Sequence, residues 1–183
     1  VRLADSKGLQ VATHAIGDRG NRVVLDVYEK VFGSKAWMKR PRIEHAQVVA
    51  LEDLPRFGKS GIIASVQPTH CTSDMPWAED RVGKERIKGA YAWQTLLTSN
   101  ATVAAGSDAP VEDVSPILGL YAATTRKNDL GEPESGWHPE QKMTPQQAID
   151  AFTRGANYAA FQEDHLGKIE KGGFPHFMLK EIF

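Results

Sequence analysis

Along the chain, short runs of β-branched and small residues alternate with longer stretches in which apolar residues return every three or four positions. The first pattern marks strands bounded by turns, the second one face of a helix. The first run, residues 9–14, precedes a helix predicted over about 21–32, with Val23, Val24, Val27, Tyr28 and Val31 on one face, Asp18 as its N-cap and Gly33 as its stop. The second run, 42–47, leads into a short helical stretch over 51–59. After the third, 62–67, comes the longest irregular segment, 70–88, and then a helix through Tyr91, Trp93, Leu96 and Leu97. The fourth, 101–107, precedes a helix opening at Ser115-Pro116, with Ile117, Leu118, Tyr121 and Thr125 on one side. A last helix opens at Thr144-Pro145-Gln146-Gln147, a capping box with Pro at the first helical position, and carries Ala148, Ile149, Phe152, Ala156 and Ala159.

Strands and helices alternating at roughly thirty residues per unit call for βαβ connections and a parallel sheet. The strand faces refine this. Gln10, Ala12 and His14 share one face of the first strand, and Thr102, Ala104, Gly106 and Asp108 one face of the fourth; Val11, Val103 and Ala105 point the other way, toward helices. A small or polar face ending in an ionisable residue suits a barrel lumen better than an open sheet covered on both sides. Four βα units are half of an eight-stranded barrel. The rival arrangement, a doubly wound sheet binding a nucleotide, lacks any Gly-x-Gly-x-x-Gly after a strand.

At 183 residues the chain suits one domain. Its 22 basic and 23 acidic residues leave a net charge near −1, which gives no electrostatic reason to expect a nucleic acid or an anionic membrane as partner. Cys71 is the only cysteine, so neither an internal disulfide nor a cysteine-built zinc site is available, and a reducing, cytoplasmic location is expected. The chain opens on Val1, in what reads as the end of a helix stopped at Gly8, so a piece of a longer protein is expected.

Three ionisable residues share one address, the C-terminal end of a predicted parallel strand: His14, His45 and Asp108. In an α/β barrel that end carries the active site. Two imidazoles from adjacent strands can meet on one cation at roughly 2.1 Å each, joined by a carboxylate from further round. The set suits zinc, and also iron(II) or manganese(II). A cation of this kind lowers the pKa of its water toward about 7. The carboxylate can then pass a proton to a leaving nitrogen. Either histidine alone would read as a packed core residue, and Asp108 alone as a turn residue before Pro110; the shared placement favours the metal set. Glu44 is expected to point away from His45, toward a partner on a neighbouring helix. Cys71 and His70, adjacent in sequence, are expected to diverge rather than form a nucleophilic pair. Trp77, Trp93 and Trp137 are candidates for lining a substrate mouth, with core packing at least as good a reading for Trp93, and His138, His165 and His176 are expected in solvent.

The strings HAIGD from His14, IEHAQ around His45, SVQPTH ending at His70 and GSDAPV around Asp108, in this order and spacing, resemble the amidohydrolase superfamily. The likeness is to its amidohydrolase-3 branch, which includes N-substituted formamide deformylases, and it runs from Leu3 to Gly172. The resemblance implies the α/β fold of the C-terminal half of a TIM (β/α)8 barrel of the metal-dependent hydrolase type. Four parallel βα units, strands five to eight, and a C-terminal helix would occupy 1–162, and a tail, 163–183, would lead toward the family's small β-sandwich. It implies metal binding by His14, His45 and Asp108, proton transfer by Asp108, and substrate contact by His70. The implied reaction is metal-dependent hydrolysis of non-peptide C–N bonds in amide- or formamide-like small molecules. This chain lacks the His-x-His of a complete member, and Pro175-His176 stand where the family's tail has Ala-Asp. The expected partners are therefore a small-molecule substrate and either a second copy of the chain or the N-terminal half of the barrel. The competing expectation is a non-catalytic half-barrel or interaction module without metal.

Overall fold

A computed structural model describes residues 1–171; the Gly172-Gly173 pair and the segment with Pro175 and His176 lie outside the described residues. Four strands, β1 (Ala12–Ala15), β2 (Arg42–His45), β3 (Ile63–Val66) and β4 (Val103–Ala105), form one parallel sheet in chain order. Each overlaps one of the runs predicted from sequence and is shorter than it; β2 begins where its run begins, and β1 starts three residues later and ends one residue later than its run. After a short opening helix, α1 (Arg2–Ser6), the crossovers are helical: α2 (Asp18–Phe32) and α3 (Ala36–Lys39) after β1, and α4 (Leu54–Ser60) after β2. Between β3 and β4 come α5 (Pro68–Asp74), α6 (Ala78–Arg86) and α7 (Trp93–Thr98). After β4 come α8 (Pro116–Thr125), α9 (Pro145–Asp150), a π-helical turn over Ala151–Gly155 and α10 (Ala156–Ala159). Among the described residues no helix is long and apolar enough to cross a membrane.

Ala15, Ile43, Ala64, Val66, Val103 and Ala105 join the main core with Leu25, Tyr28, Phe57, Trp93 and Leu96 from the helices. Burying Leu25 and Phe57 fully contributes about 1.5–3 kcal/mol each. On the opposite face Ile63 and Ala104 pack under Ala159 and Tyr158 of α10. The sheet thus has a helix side and a lumen side, as the strand faces predicted.

Several local expectations are corrected. The 70–88 segment is not irregular: α5, α6 and a 3₁₀ turn occupy most of it. The buried face of α2 is Asn21, Leu25, Tyr28 and Phe32, with Val23 and Val27 exposed. In α8 the buried residues are Gly119, Ala122 and Ala123, while Ile117, Leu118 and Tyr121 are exposed. The reason is close approach: a Cβ on Gly119 would lie 2.4 Å from the Phe152 ring, so only small residues fit that stripe. The N-cap of α2 is Gly17, and Asp18, one residue later, pairs with Arg86 at 2.7 Å. Glu44 bonds Arg42, two residues back on its own strand, at 2.8 Å. Trp93 is core: the Arg126 guanidinium stacks on it at 4.6 Å and on Trp137 at 5.6 Å, and donates to the carbonyls of Tyr91 and Trp137. The capping box at Thr144 forms in full with Gln147.

A second device joins the helices on the outside. Arg56 of α4 reaches Glu29 and Asp26 of α2 at 2.6 Å and Asp53 at 3.0 Å. The Arg56 guanidinium holds the Glu29 carboxyl below its usual range, against an opposing push from burial. A depressed folded-state pKa contributes stability above the unfolded value, and that contribution disappears as pH falls through the folded one. The stability gap between wild type and Arg56→Met, from urea melts, is therefore expected to narrow as pH drops below about 4.5, the ordinary glutamate value.

Two glycines predict opposite signs. Gly20 lies inside α2, where a Cβ would meet only the Ala15 methyl at 3.7 Å, so Gly20→Ala should stabilise by about 0.5–1 kcal/mol. At Gly58 a Cβ would stand 1.8 Å from the Ser99 carbonyl oxygen, which is backbone and cannot swing aside. Gly58→Ala should cost about 1–3 kcal/mol by overpacking, read as a lower melting temperature.

Candidate metal centre

Register sets the site. His14 is paired with Glu44 across β1 and β2, and Glu44 with Ser65 across β2 and β3, so the strands end nearly level. Alternation carries Arg42 and Glu44 to the lumen side with His14, while Ile43 enters the helix core. At His45 the alternation breaks, because His45 (φ 76°) and Ala46 (φ 42°) are both left-handed. Its imidazole comes to lie against that of His14, ring centres 4.5 Å apart and edge to face, and 5.7 Å from that of His70. His45 Nδ1 is 2.9 Å from Gln67 Oε1. Asp108, three residues beyond β4, is also left-handed, at φ 62°. Left-handed backbone at non-glycine residues costs about 1–3 kcal/mol each and clusters at functional sites.

His45, His70 and Asp108 each present a donor atom such that all three lie within 4.8 Å of one another. His14 is not one of these three; it meets the group through the His45 ring. His70, placed by sequence at a strand-to-loop junction, stands in the first turn of α5, which swings its imidazole over the strand ends. Its Nε2 lies 3.4 Å from Asp108 Oδ2, too long for a good hydrogen bond, and is buried with no hydrogen-bond partner. A buried polar nitrogen left without a partner is costly. Two donors each about 2.1 Å from one tetrahedral cation sit about 3.4 Å apart, so the residues fit a divalent ion. The His70 side chain is 14% exposed and that of Asp108 36%, so the carboxylate is the group of this pair more open to water.

Two residues past His45, Gln47 donates its amide to Asp74 and to the Tyr91 hydroxyl, both at 2.6 Å, and Tyr91 donates to Asp74. Burial first, then the Asp74 carboxylate, hold the Tyr91 hydroxyl far above its usual range. Gln67 and Gln47 stand inside the strings SVQPTH and IEHAQ, and Asn21 at the start of the first predicted helix, with no role expected of any of them from sequence. The buried Asn21 amide nitrogen lies within 3.2 Å of the carbonyls of Ala15, Ile16, Gly17 and Val48, tying the exits of β1 and β2 together. Its signal was a polar residue in the apolar stripe of α2.

A family model described as the amidohydrolase family matches residues 1–179. The chain belongs to the amidohydrolase family. Protein LONG AFTER FAR-RED 3 of Arabidopsis thaliana is 40% identical over 96% of this chain and 30% of its own length. The N-substituted formamide deformylase of Arthrobacter pascens is 25% identical over 92% of this chain and 31% of its own. Among solved structures, an uncharacterized metal-dependent hydrolase from Pyrococcus horikoshii OT3 superposes with a TM-score of 0.78 at 34% identity, over 93% of this chain and 33% of the other. The chain thus spans about a third of the length of these relatives, and its four-stranded parallel α/β sheet corresponds to part of the barrel of such hydrolases.

Cys71, next to His70, is buried, and burial pushes its thiol up to about 12. The thiolate is the reactive form, so a thiol probe such as DTNB at mildly alkaline pH is expected to leave the native protein unmodified and to titrate one thiol only on unfolding.

Proposed function

We propose that this chain carries the metal-holding rim of a hydrolase that cleaves carbon–nitrogen bonds other than peptide bonds, in amide- or formamide-like small molecules. The observation that carries the reading is the convergence of His45, His70 and Asp108 donors within 4.8 Å at the level end of a parallel sheet. Membership of the amidohydrolase family and the named activity of the Arthrobacter pascens relative support the bond type. His45, His70 and Asp108 would hold the ion, with His14, its ring against that of His45, as the fourth group. Imidazole and carboxylate donors suit zinc first, with iron(II) or manganese(II) as the other candidates.

When bound, a divalent cation here supplies Lewis acidity that brings the ionisation of a water into the neutral range. Asp108 does the proton work in this proposal. Its carboxylate is the more open of the close pair, so it can accept the proton of the attacking water and deliver it to the departing nitrogen. Amide nitrogen is a poor leaving group unless protonated, so both transfers fall to one residue. His70, enclosed beside it, would share the ion with that carboxylate. The outer edges of β1 and β4 have no pairing strand among the described residues, and in this reading further strands, from additional chain or a second copy, complete the barrel.

Metal analysis after chelation and reloading tests the proposal. Wild type is expected to take up stoichiometric zinc, and His45→Ala and Asp108→Asn to weaken binding by more than about 100-fold, as loss of a ligand should exceed the roughly 10–100-fold loss of an outer partner. A folded wild-type chain that takes up no metal would turn the reading to the non-catalytic module.

A further inference from the structure

We propose that Gln67 is a positioning residue that fixes the tautomer and ring angle of His45 and so readies it to hold a cation; the inference rests on the metal reading above. Gln67 lies at the exit of β3, the strand next to that of His45. Its Nε2 lies on the side of its own strand, at a long 3.4 Å from the Ser65 carbonyl, and its Oε1 faces His45 Nδ1 at 2.9 Å. A carbonyl oxygen carries no hydrogen, so Nδ1 must be the donor. A neutral imidazole has one N–H, and with that hydrogen on Nδ1 the lone pair is on Nε2. In the other tautomer the pair would face Gln67 and Nε2 would carry the hydrogen, so that no free pair would be left for a cation until the proton moved.

The choice of residue at this position strengthens the case. Gln67 is the N-cap of α5, in extended conformation, and its side chain makes no capping bond. Ser, Thr, Asp and Asn are the residues that cap helices, and forgoing such a cap costs about 1 kcal/mol. A glutamine here gives up helix stability and reaches across to the neighbouring strand instead. The ring it holds sits on left-handed backbone, with the rings of His14 and His70 beside it, and Gln67 is the one hydrogen-bond partner of that ring among the described residues. Partners that fix the ring nitrogen opposite a metal typically contribute 10–100-fold to metal affinity.

Two substitutions separate this role from packing. Gln67→Ser should cap α5 and hold or raise the melting temperature, yet it is too short to reach His45; its zinc affinity, measured by chelator competition, should fall about 10–100-fold. Gln67→Glu keeps an acceptor at the same reach and should retain wild-type affinity or exceed it. In ¹⁵N-edited imidazole spectra of the metal-free protein at mildly alkaline pH, His45 should carry its proton on Nδ1 in wild type and Gln67→Glu, and populate both tautomers in Gln67→Ser. A wild-type His45 protonated on Nε2, or a folded Gln67→Ser that binds zinc as wild type does, would overturn the role given to Gln67 and leave the metal reading standing. A folded wild-type chain that binds no zinc would instead remove the metal reading, and this inference with it.

Discussion

Parallel hydrogen bonding in register is the constraint on which the rest of the molecule depends. His14, Glu44 and Ser65 are paired across three strands, and Ser65 with Ala104 of the fourth, so residues far apart in sequence leave the sheet at one level. Without that level rim, side chains from positions 45, 70 and 108 have no reason to meet. The rim then departs from regular geometry at the candidate ligands His45 and Asp108 and at Ala46. Left-handed backbone at three non-glycine residues persists only when the surroundings over-determine it. Here the surroundings include the Asn21 amide on the carbonyls flanking β1 and on Val48, and the π-helical turn pressed so closely onto β4 that a Cβ on Gly155 would meet the Val103 carbonyl at 2.1 Å.

The helices act on the site through their smallest residues. Helix α8 packs on α5 and α9, and presents Gly119, Ala122 and Ala123 inward. Small side chains let helix axes approach: Gly119 lies against Phe152 of the π-helical turn, and α5 packs on the same helix. Since His70 stands in the first turn of α5, the stripe of small residues on α8 bears on where that imidazole sits. Arg126, the C-cap of α8, continues the same linkage: it is buried between Trp93 and Trp137 and donates to backbone on both sides, so the segments before α7 and after α8 are tied to the helix that backs α5.

This explains which parts of the molecule were legible in the sequence. Strand existence, order and the split between lumen and helix faces followed from period-two patterning, and the Thr144 capping box from four consecutive residues. Amphipathic faces were misread where size was taken for burial: α8 hides glycine and alanine and exposes Ile117 and Leu118, because a sterically tight interface selects against bulk. In α2 a stripe of valines outvoted the stripe that holds Asn21, whose burial is offset by its carbonyl partners. Glu44 was given a helical partner because alternation alone cannot say that Arg42, two residues away on the same face, is long enough to reach it. For the site, the addresses of His14, His45 and Asp108 were legible as strand ends, but which histidine stands beside the carboxylate was not. That depends on a left-handed turn at a non-glycine residue and on a seven-residue helix starting at Pro68, neither of which leaves a periodic trace.

The arrangement also divides labour among the three groups. Of the close pair, His70 is enclosed and Asp108 is open, while His45 is half-buried with its Nδ1 already committed. A proton leaving the cluster for bulk water, or arriving from it, therefore has its shortest route through the carboxylate. Imidazole nitrogens that are enclosed or committed keep a fixed donor geometry, which favours holding an ion. An exposed oxygen at the end of a short side chain can change partner without disturbing the strands. The proposed function needs both properties within a few ångströms, a cation held still and protons moved between water and a leaving group, and strands that end level supply that separation by backbone geometry.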